Sequence, residues 1–396
     1  MIARPSETPE APRALTGFWI AGAVAALLIP ILAASGLAYF ASKRTPKYAG
    51  IEIGSTGPRY CVIEYLPPTK GGANYRFPAS KSTATRLTEG MDRSGTFDAK
   101  ELARTVEAVK SFYDELLTQH KIPAENIAIV CSVGVFGPIA KRKDLDHKEK
   151  EQRIQKCRAA LAAAVKEATG QSIEIVGLRQ ITEHELKACV RKSDLKDAVF
   201  IDIGGGSTRG GYSDTAGLVQ DHQGPGISIF MDAVNDGLED GSFVQRAGVL
   251  SEEHLRVPFR TDLGGDPEFK ARKKVYLAGG TVWVMANCQR PEEAEDYVSL
   301  SAEAIATFAA SVRSKPDMLN TLRPEDLSTQ RREWFEQECP KMRSAFKKPN
   351  RLVAGAEILH ALSVELKFAD RDLWFYRHSD YAWIASYMDE TRRSAK

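Results

Sequence analysis

The sequence predicts an α/β protein of two lobes with a cleft between them, preceded by one transmembrane helix. Strand-like and helix-like segments alternate over about 350 residues, which is typical of mixed sheets covered by helices. A phrase that begins at Glu52 returns at Asp202, 150 residues further on, and such a repeat indicates two related lobes. The segment 17–41 is almost wholly apolar and lies ahead of both copies.

Charge and cysteine content exclude several classes of function. The chain has 54 Lys and Arg against 52 Asp and Glu in 396 residues, a net charge of +2. We therefore expect no nucleic-acid partner, because such proteins carry a strongly basic surface. The basic run 141–158 interleaves acids with bases and is interpreted as a solvated helix face. The six cysteines include no Cys-x-x-Cys pair, so neither a zinc site nor a disulfide framework is indicated.

The N-terminal apolar segment is long enough to cross a membrane. After a tail at 1–16, the 25 residues of 17–41 carry no charge. A helix of this length spans about 30 Å of hydrocarbon. A cleaved signal peptide is the alternative, since 33–35 are small residues, but its apolar core would be only about 7–15 residues long. Three basic residues follow the helix closely and two precede it, which favours a cytoplasmic location for the large domain.

Hydrophobic spacing and turn residues predict the elements of the remaining chain in order. Segments 48–53 and 59–65 flank a glycine turn and predict a hairpin. Residues 98–120 carry apolar side chains at helical spacing. Further strands are expected at 126–132, 173–176, 198–203 and 275–277, and further helices at 149–169, 323–346 and 351–366. We place lobe I at 48–180 and lobe II at 181–390, so that each holds one copy of the repeated phrase.

Both copies of the phrase end a strand with a carboxylate and a glycine turn. They read Glu52-Ile53-Gly54-Ser55-Thr56 and Asp202-Ile203-Gly204-Gly205-Gly206-Ser207-Thr208. Glycines let a backbone approach a ligand closely and direct its N–H groups at an anion, and the hydroxyl side chains add donors. The carboxylates of Glu52 and Asp202 are placed to hold Mg²⁺, directly or through water. A tight turn with a capping Asp is the alternative for one loop, and the matching pair favours a phosphate site.

A third glycine turn extends this pattern. Gly279, Gly280 and Thr281 lie between a predicted strand and an apolar helix. This turn by itself could be a simple packing turn. In order with the other two it resembles the phosphate and adenosine loops of the actin, heat-shock-protein and sugar-kinase superfold (ASKHA, ribonuclease H-like), which implies a ligand cleft between the lobes.

Within that superfold the chain resembles the exopolyphosphatase and guanosine pentaphosphate phosphohydrolase (Ppx/GppA) family over about 48–388. The segments that carry the resemblance come in the family's order: 85–91 with the helix after it, 173–176 leading into Glu183-His184-Glu185, 202–208, 277–281 and 352–359.

The resemblance implies a function and roles for residues. The family cleaves terminal phosphoanhydrides, so polyphosphate, pppGpp or a nucleoside triphosphate would be the substrate and Mg²⁺ the cofactor. Glu185 would orient and deprotonate the attacking water, with Glu183 as its neighbour. Surface charges opening a helix are the alternative for both glutamates. A homodimer through the C-terminal helices is a further expectation.

The chain departs from the family at several positions to which the resemblance would assign a functional role. Glu52 replaces an Asp, Arg209 replaces a Glu, and 131–136 lacks the family's arginine. Arg209 would either grip phosphate bidentately or occupy the place of the metal. Two other functions therefore stay open. One is a non-hydrolysing phosphate or nucleotide sensor or scaffold at the membrane, and the other is an actin-like ATP-binding assembly protein.

Overall fold

The computed structural model describes 46–66, 75–88, 91, 95–140, 142, 144–236, 242–290, 296–323 and 329–394, without the side chains of 329–331 and 334. The expected tail at 1–16 and transmembrane helix at 17–41 lie outside these residues. Among the residues described, no helix is both long enough and apolar enough to cross a membrane.

Eleven strands are found in the described part of the chain: β1 Lys47–Gly54, β2 Gly57–Tyr65, β3 Tyr75–Ser82, β4 Ile127–Ser132, β5 Ile173–Val176, β6 Ala198–Ile203, β7 Ser207–Ser213, β8 Val219–Pro225, β9 Lys274–Ala278, β10 Tyr297–Leu300 and β11 Asp372–Tyr376.

The α-helices among the same residues are α1 Ala99–Thr118, α2 Gly137–Ala140, α3 His147–Thr169, α4 Leu178–Cys189, α5 Ile227–Asn235, α6 Phe243–Ser251, α7 Pro267–Ala271, α8 Gly280–Gln289, α9 Ala302–Ser314, α10 Met318–Thr321, α11 Thr329–Ala345, α12 Pro349–Glu365 and α13 Ser379–Ser394. Two π-helical turns, Glu252–Arg256 and Phe259–Leu263, follow α6.

The strands form two mixed sheets. The first has the order β3-β2-β1-β4-β5, in which β1 pairs antiparallel with β2 and parallel with β4. The second has the order β10-β11-β9-β6-β7-β8, in which β6 pairs parallel with β9 and antiparallel with β7. An α/β protein with two mixed sheets was predicted and is confirmed. Each sheet contains a hairpin, β1–β2 or β6–β7, whose tip is one of the two predicted glycine turns.

Helix ends follow from capping residues in the sequence. The Asp98 side chain accepts hydrogen bonds from the first-turn amides of α1, and Asp146 forms a capping box with Glu149 at the start of α3. These side chains satisfy amides that have no partner inside the helix. Gly170 ends α3 with a φ of 73°, a left-handed conformation that suits glycine.

Helices α4 and α13 share a buried core with both sheets. One cluster joins Ile63 and Val130 of the first sheet with Tyr276 of the second, and it includes Leu186 of α4 and Trp383 of α13. Because all of these side chains are buried together, the two helices are held rigidly against both sheets. Charged residues on α4 and α13 are therefore fixed relative to the two hairpins.

Two predicted segments differ from the structure, and five strands were not predicted. The helix expected at 323–346 is described as α11 only from Thr329, because 324–328 lie outside the described residues. The Glu-x-Glu segment at 183–185 was expected as a turn or helix start and lies inside α4. Strands β3, β7, β8, β10 and β11 were not predicted at all.

Candidate functional site

The two hairpins carry the same ion pair at the same place. On the first, Glu52 of β1 lies opposite Arg59 of β2, and the Arg59 Nε donates to Glu52 Oε2 at 2.6 Å. On the second, Asp202 of β6 lies opposite Arg209 of β7, and the Arg209 Nη2 donates to Asp202 Oδ2 at 2.6 Å. Both the carboxylates and the arginines are separated by 150 residues. The repeat therefore extends beyond the glycine turn to a cross-strand ion pair.

Each arginine also reaches a second acid from a different helix. The Arg209 Nη2 donates to Glu185 Oε1 of α4 at 2.8 Å, and the Arg59 Nη1 lies 3.6 Å from Asp380 Oδ1 of α13. The first carboxylate receives one more donor, because the indole Nε1 of Trp383 lies 3.3 Å from Glu52 Oε2. The result is two triads, each with one guanidinium between two carboxylates. They form one charged cluster, because charges of one triad shift the pKa values of carboxyls in the other.

Glu185 is the most perturbed acid of this cluster. Its residue is 4% exposed, and burial raises the pKa of its carboxyl to about 8, against the opposing charge of Arg209. One oxygen, Oε1, accepts from Arg209, while Oε2 is buried with no hydrogen-bond partner among the described residues. A carboxyl that changes protonation near neutral pH and keeps one oxygen free has the properties of a general base.

The tips of the two hairpins meet. A Cβ atom placed on Gly205 would lie 3.7 Å from the Thr56 methyl carbon, so turns 54–56 and 204–207 adjoin. Gly54 and Gly204 both lie beside the carboxylate of their own hairpin. Gly206 and Thr56 are exposed. The two predicted phosphate turns therefore border one common open space next to the charged cluster.

Thr208 is the exception among the predicted phosphate-binding hydroxyls of the two hairpin turns. It has no exposed surface, and its hydroxyl donates to the carbonyl of Pro225 on β8 at 2.8 Å. The side chain thus holds β7 against β8 instead of facing the turn. Ser55 and Ser207 are half-buried at the hairpin tips.

The third glycine turn is built for close packing. Gly279 has a φ of 102°, and any Cβ there would collide with the carbonyl of Ile203 at the end of β6. Thr281 is fully buried against Gly355 of α12, and its hydroxyl has no hydrogen-bond partner in the described part of the chain. Gly280 faces the ring of Phe346. The geometry thus fits the packing turn that the sequence left open.

Glu183 does not join the cluster. Its carboxylate is 41% exposed and pairs with Lys187 at 2.7 Å, one turn along α4. Residues two apart on a helix are rotated by about 200°, so Glu183 and Glu185 point in different directions. Glu183 therefore lies apart from the cluster, on the exposed side of α4.

Each of the two predicted metal ligands is paired with an arginine side chain. Glu52 and Asp202 are each bonded by an arginine at 2.6 Å. In the described residues no group of three or more His, Cys, Asp or Glu could hold a metal ion. A guanidinium takes one oxygen of each predicted ligand, Oε2 of Glu52 and Oδ2 of Asp202, and puts a positive charge where a hard cation would bind. The residues present therefore do not fit a resident Mg²⁺.

Arg59 was not singled out from the sequence. The signal was available, because extending the repeat by three residues beyond Thr56 aligns Arg59 with Arg209. Asp380 and Trp383 lie beyond 352–359, the last of the segments that carry the resemblance to the family. Their role in the cluster depends on the packing of α13 against the first sheet.

The described fold matches solved structures of the Ppx/GppA type. A family member from Aquifex aeolicus superposes with a TM-score of 0.58 at 14% identity, over 87% of this chain and 98% of that one. An exopolyphosphatase from Cytophaga hutchinsonii gives 0.59 at 11% identity, over 87% and 98%. An exopolyphosphatase-like protein gives 0.56 at 15% identity, over 89% and 99%.

At such low identities the matches show a shared fold only, and the function is inferred from the residues of the site. Neither the models of known protein families nor the curated proteins give a match to this chain. The fold that the resemblance implied is confirmed.

Proposed function

We propose that the chain is a phosphohydrolase that removes the terminal phosphoryl group of a phosphoanhydride, namely polyphosphate, pppGpp or a nucleoside triphosphate. Glu185 supports this most directly. It is a buried carboxyl bonded to Arg209 of the second hairpin, its pKa is raised to about 8, and its Oε2 is without a partner in the described part of the chain. The solved structures of the same fold include proteins named exopolyphosphatase.

The residues suggest how the reaction would run. The glycine turns at 54–56 and 204–207 would hold the terminal phosphoryl group through backbone N–H donors, which offset its charge. Arg209 fixes the Glu185 carboxylate through Oε1 and leaves Oε2 to accept a proton from the attacking water. The phosphorus–oxygen bond to water then forms as the anhydride bond breaks, and the shortened phosphate leaves.

No step of this scheme uses Mg²⁺. The resemblance to the family makes a divalent metal plausible, but Arg59 and Arg209 supply positive charge at the two predicted ligands, Glu52 and Asp202. A magnesium ion that arrives with a nucleotide would belong to the substrate.

A second function is favoured by the same ion pairs. If Arg209 never leaves Glu185 and Asp202, the chain would bind a phosphorylated ligand without hydrolysing it and act as a sensor or scaffold. This alternative predicts stabilisation by the ligand without phosphate release.

The remaining expectations stand as parts of the proposal. Segment 17–41 would tether the compact unit Lys47–Lys396 to a membrane from the cytoplasmic side. We retain lobe boundaries at 48–180 and 181–390, with a homodimer through C-terminal helices. Membrane fractionation of the full chain tests the tether, and light scattering of the detergent-solubilised chain tests the dimer.

The proposed reaction is tested by phosphate release from polyphosphate, pppGpp, ATP and GTP by the purified full chain. Glu185→Gln should lower the rate at least about 100-fold, as expected for loss of a general base. Glu183→Gln is the matched control, because it makes the same side-chain substitution two residues away on the exposed side of α4, and it should keep most of the activity. Equal losses in both variants would contradict the role of Glu185, and no release from any substrate would favour the sensor.

A further inference from the structure

A third arginine lies beside the glycine turns, and it has no acidic partner among the described residues. Arg351 belongs to the first turn of α12. Its guanidinium makes no hydrogen bond or ion pair within the described part of the chain, and its Nε is buried without a partner. By contrast, Arg59 and Arg209 are each bonded to a carboxylate at 2.6 Å. A partly buried cation that nothing neutralises costs stability, which indicates that its partner comes from outside the chain.

The guanidinium is directed at the second turn. A Cβ atom placed on Gly205 would lie 3.8 Å from Arg351 Nη2 and 3.9 Å from Ser228 Oγ. The Thr56 side chain lies 3.7 Å from the same point. Three side chains from α12, α5 and the first hairpin therefore converge on one glycine. Any larger residue at 205 would fill the space between them.

The polar neighbours, Arg351 and Ser228, are donors that remain available. Ser228 is exposed, and its hydroxyl makes no hydrogen bond within the described chain. Its position is fixed, since the Ser228 amide donates to the Gly205 carbonyl at 2.7 Å. Thr56 is exposed at the opposite hairpin tip. Burial lowers the pKa of Arg351, and no carboxylate of the described residues offsets this effect. The open space over Gly205 is thus lined by one unpaired cation, the hydroxyl of Ser228 and the methyl group of Thr56.

We propose that Arg351 is the phosphate anchor of the site: its guanidinium binds a non-bridging oxygen pair of the ligand's phosphoryl group over Gly205, with the Ser228 hydroxyl as a further donor. A planar guanidinium suits this role, because its N–H groups match two phosphate oxygens at once. The inference rests on the proposed phosphoanhydride ligand and assigns it a binding residue on α12. Arg59 and Arg209 then hold the carboxylates in place, while Arg351 holds the ligand.

Calorimetric binding of inorganic tripolyphosphate to the full chain tests this assignment. Every protein in the experiment carries Glu185→Gln, so that the ligand is not hydrolysed during the measurement. Adding Arg351→Met should weaken binding about 10- to 100-fold, the value of a charge-assisted hydrogen-bond pair. Arg351→Lys should recover part of this loss, because it keeps the charge but loses the fork. Lys348→Met is the matched control, since it removes one exposed positive charge three residues away on the same helix end, and it should change binding less than about threefold.

The thermal midpoint without ligand separates a lost contact from a damaged fold. Arg351→Met should leave it unchanged or raise it, because an unpaired guanidinium is removed from a partly buried position. Equal affinity of Arg351→Met and its parent would overturn the anchor and leave the hydrolase proposal standing. Equal weakening by Lys348→Met would also overturn it, since only the net charge would then matter. Failure of the parent to bind tripolyphosphate would overturn the anchor together with the ligand class.

Discussion

Replacing Glu185 by Gln should change how the stability of the chain depends on pH. Burial raises the pKa of Glu185 from 4.5 to about 8, so the folded chain holds one proton more than the unfolded chain between these values. A carboxyl whose pKa rises on folding stabilises the fold while it is protonated. This contribution is complete below the unfolded pKa and is lost as the pH rises through the folded one. Gln cannot titrate, and it keeps the shape of the side chain and an oxygen for Arg209.

The size of the effect follows from this proton difference. One bound proton changes the free energy of unfolding by on the order of 1 kcal/mol per pH unit. From about pH 5.5 to about pH 7.5 the wild-type value should fall by roughly 2 kcal/mol relative to Glu185→Gln. Urea unfolding of both proteins at three pH values measures this difference, in which all other titrating groups cancel. Parallel pH dependences would refute the raised pKa and, with it, the argument for a base that titrates near neutrality.

The remaining predictions concern the same cluster and the packing behind it. Arg209→Met leaves Glu185 and Asp202 without their shared cation and should lower the free energy of unfolding by about 3–5 kcal/mol near pH 8; a urea titration showing a loss under about 1 kcal/mol would contradict the buried pair. The thermal midpoint of the wild type should be the same in Mg²⁺ and in EDTA, whereas Arg209→Glu should gain a Mg²⁺-dependent rise, because a third carboxylate then replaces the cation; a rise in the wild type would show that a metal displaces the arginines. Gly355→Val should lower the free energy of unfolding in urea by about 1–3 kcal/mol, since the new side chain would collide with a buried threonine of α8. The control Gly248→Ala, with nothing within 4 Å of its Cβ position, should leave this free energy unchanged or raise it. Equal changes in the two variants would contradict the packing argument.

Local sequence signals predicted the first half of the fold well. The hairpin at 48–65, the strand at 198–203 and the capped helices α1 and α3 follow from alternation, helical spacing and capping residues. Strand β7 could not be predicted from these signals, because its sequence includes Gly210 and Gly211, and glycine disfavours strands in general. The structure shows why glycine is used there: a Cβ on Gly210 would press on Phe269, and one on Gly211 would collide with Thr182. Such contacts come from distant parts of the chain.

The sequence predicted several residues of the candidate site, but not the contacts between them. The repeated phrase identified both turns and the carboxylates Glu52 and Asp202. That an arginine would lie opposite each carboxylate depends on the hairpin register, which a turn two residues longer would have changed. The choice between Glu183 and Glu185 depends on the rotation of α4 about its axis, and burial by α13 decides that rotation.

The contact between Arg209 and Glu185 also separates two roles for this arginine. The charge of Arg209 lowers the pKa of Glu185, so it counteracts burial and keeps part of the carboxyl ionised near neutral pH. If Glu185 is the base and Arg209 tunes it, Arg209→Met should move the rising limb of the pH–rate profile to higher pH, and activity should recover in alkaline buffer. If Arg209 instead grips the phosphate, the same change should raise KM and leave the midpoint of the profile where it was. The geometry favours tuning, because Nη2 of Arg209 is bonded to both Glu185 and Asp202, at 2.8 and 2.6 Å, whereas the guanidinium of Arg351 has no bond within the described chain.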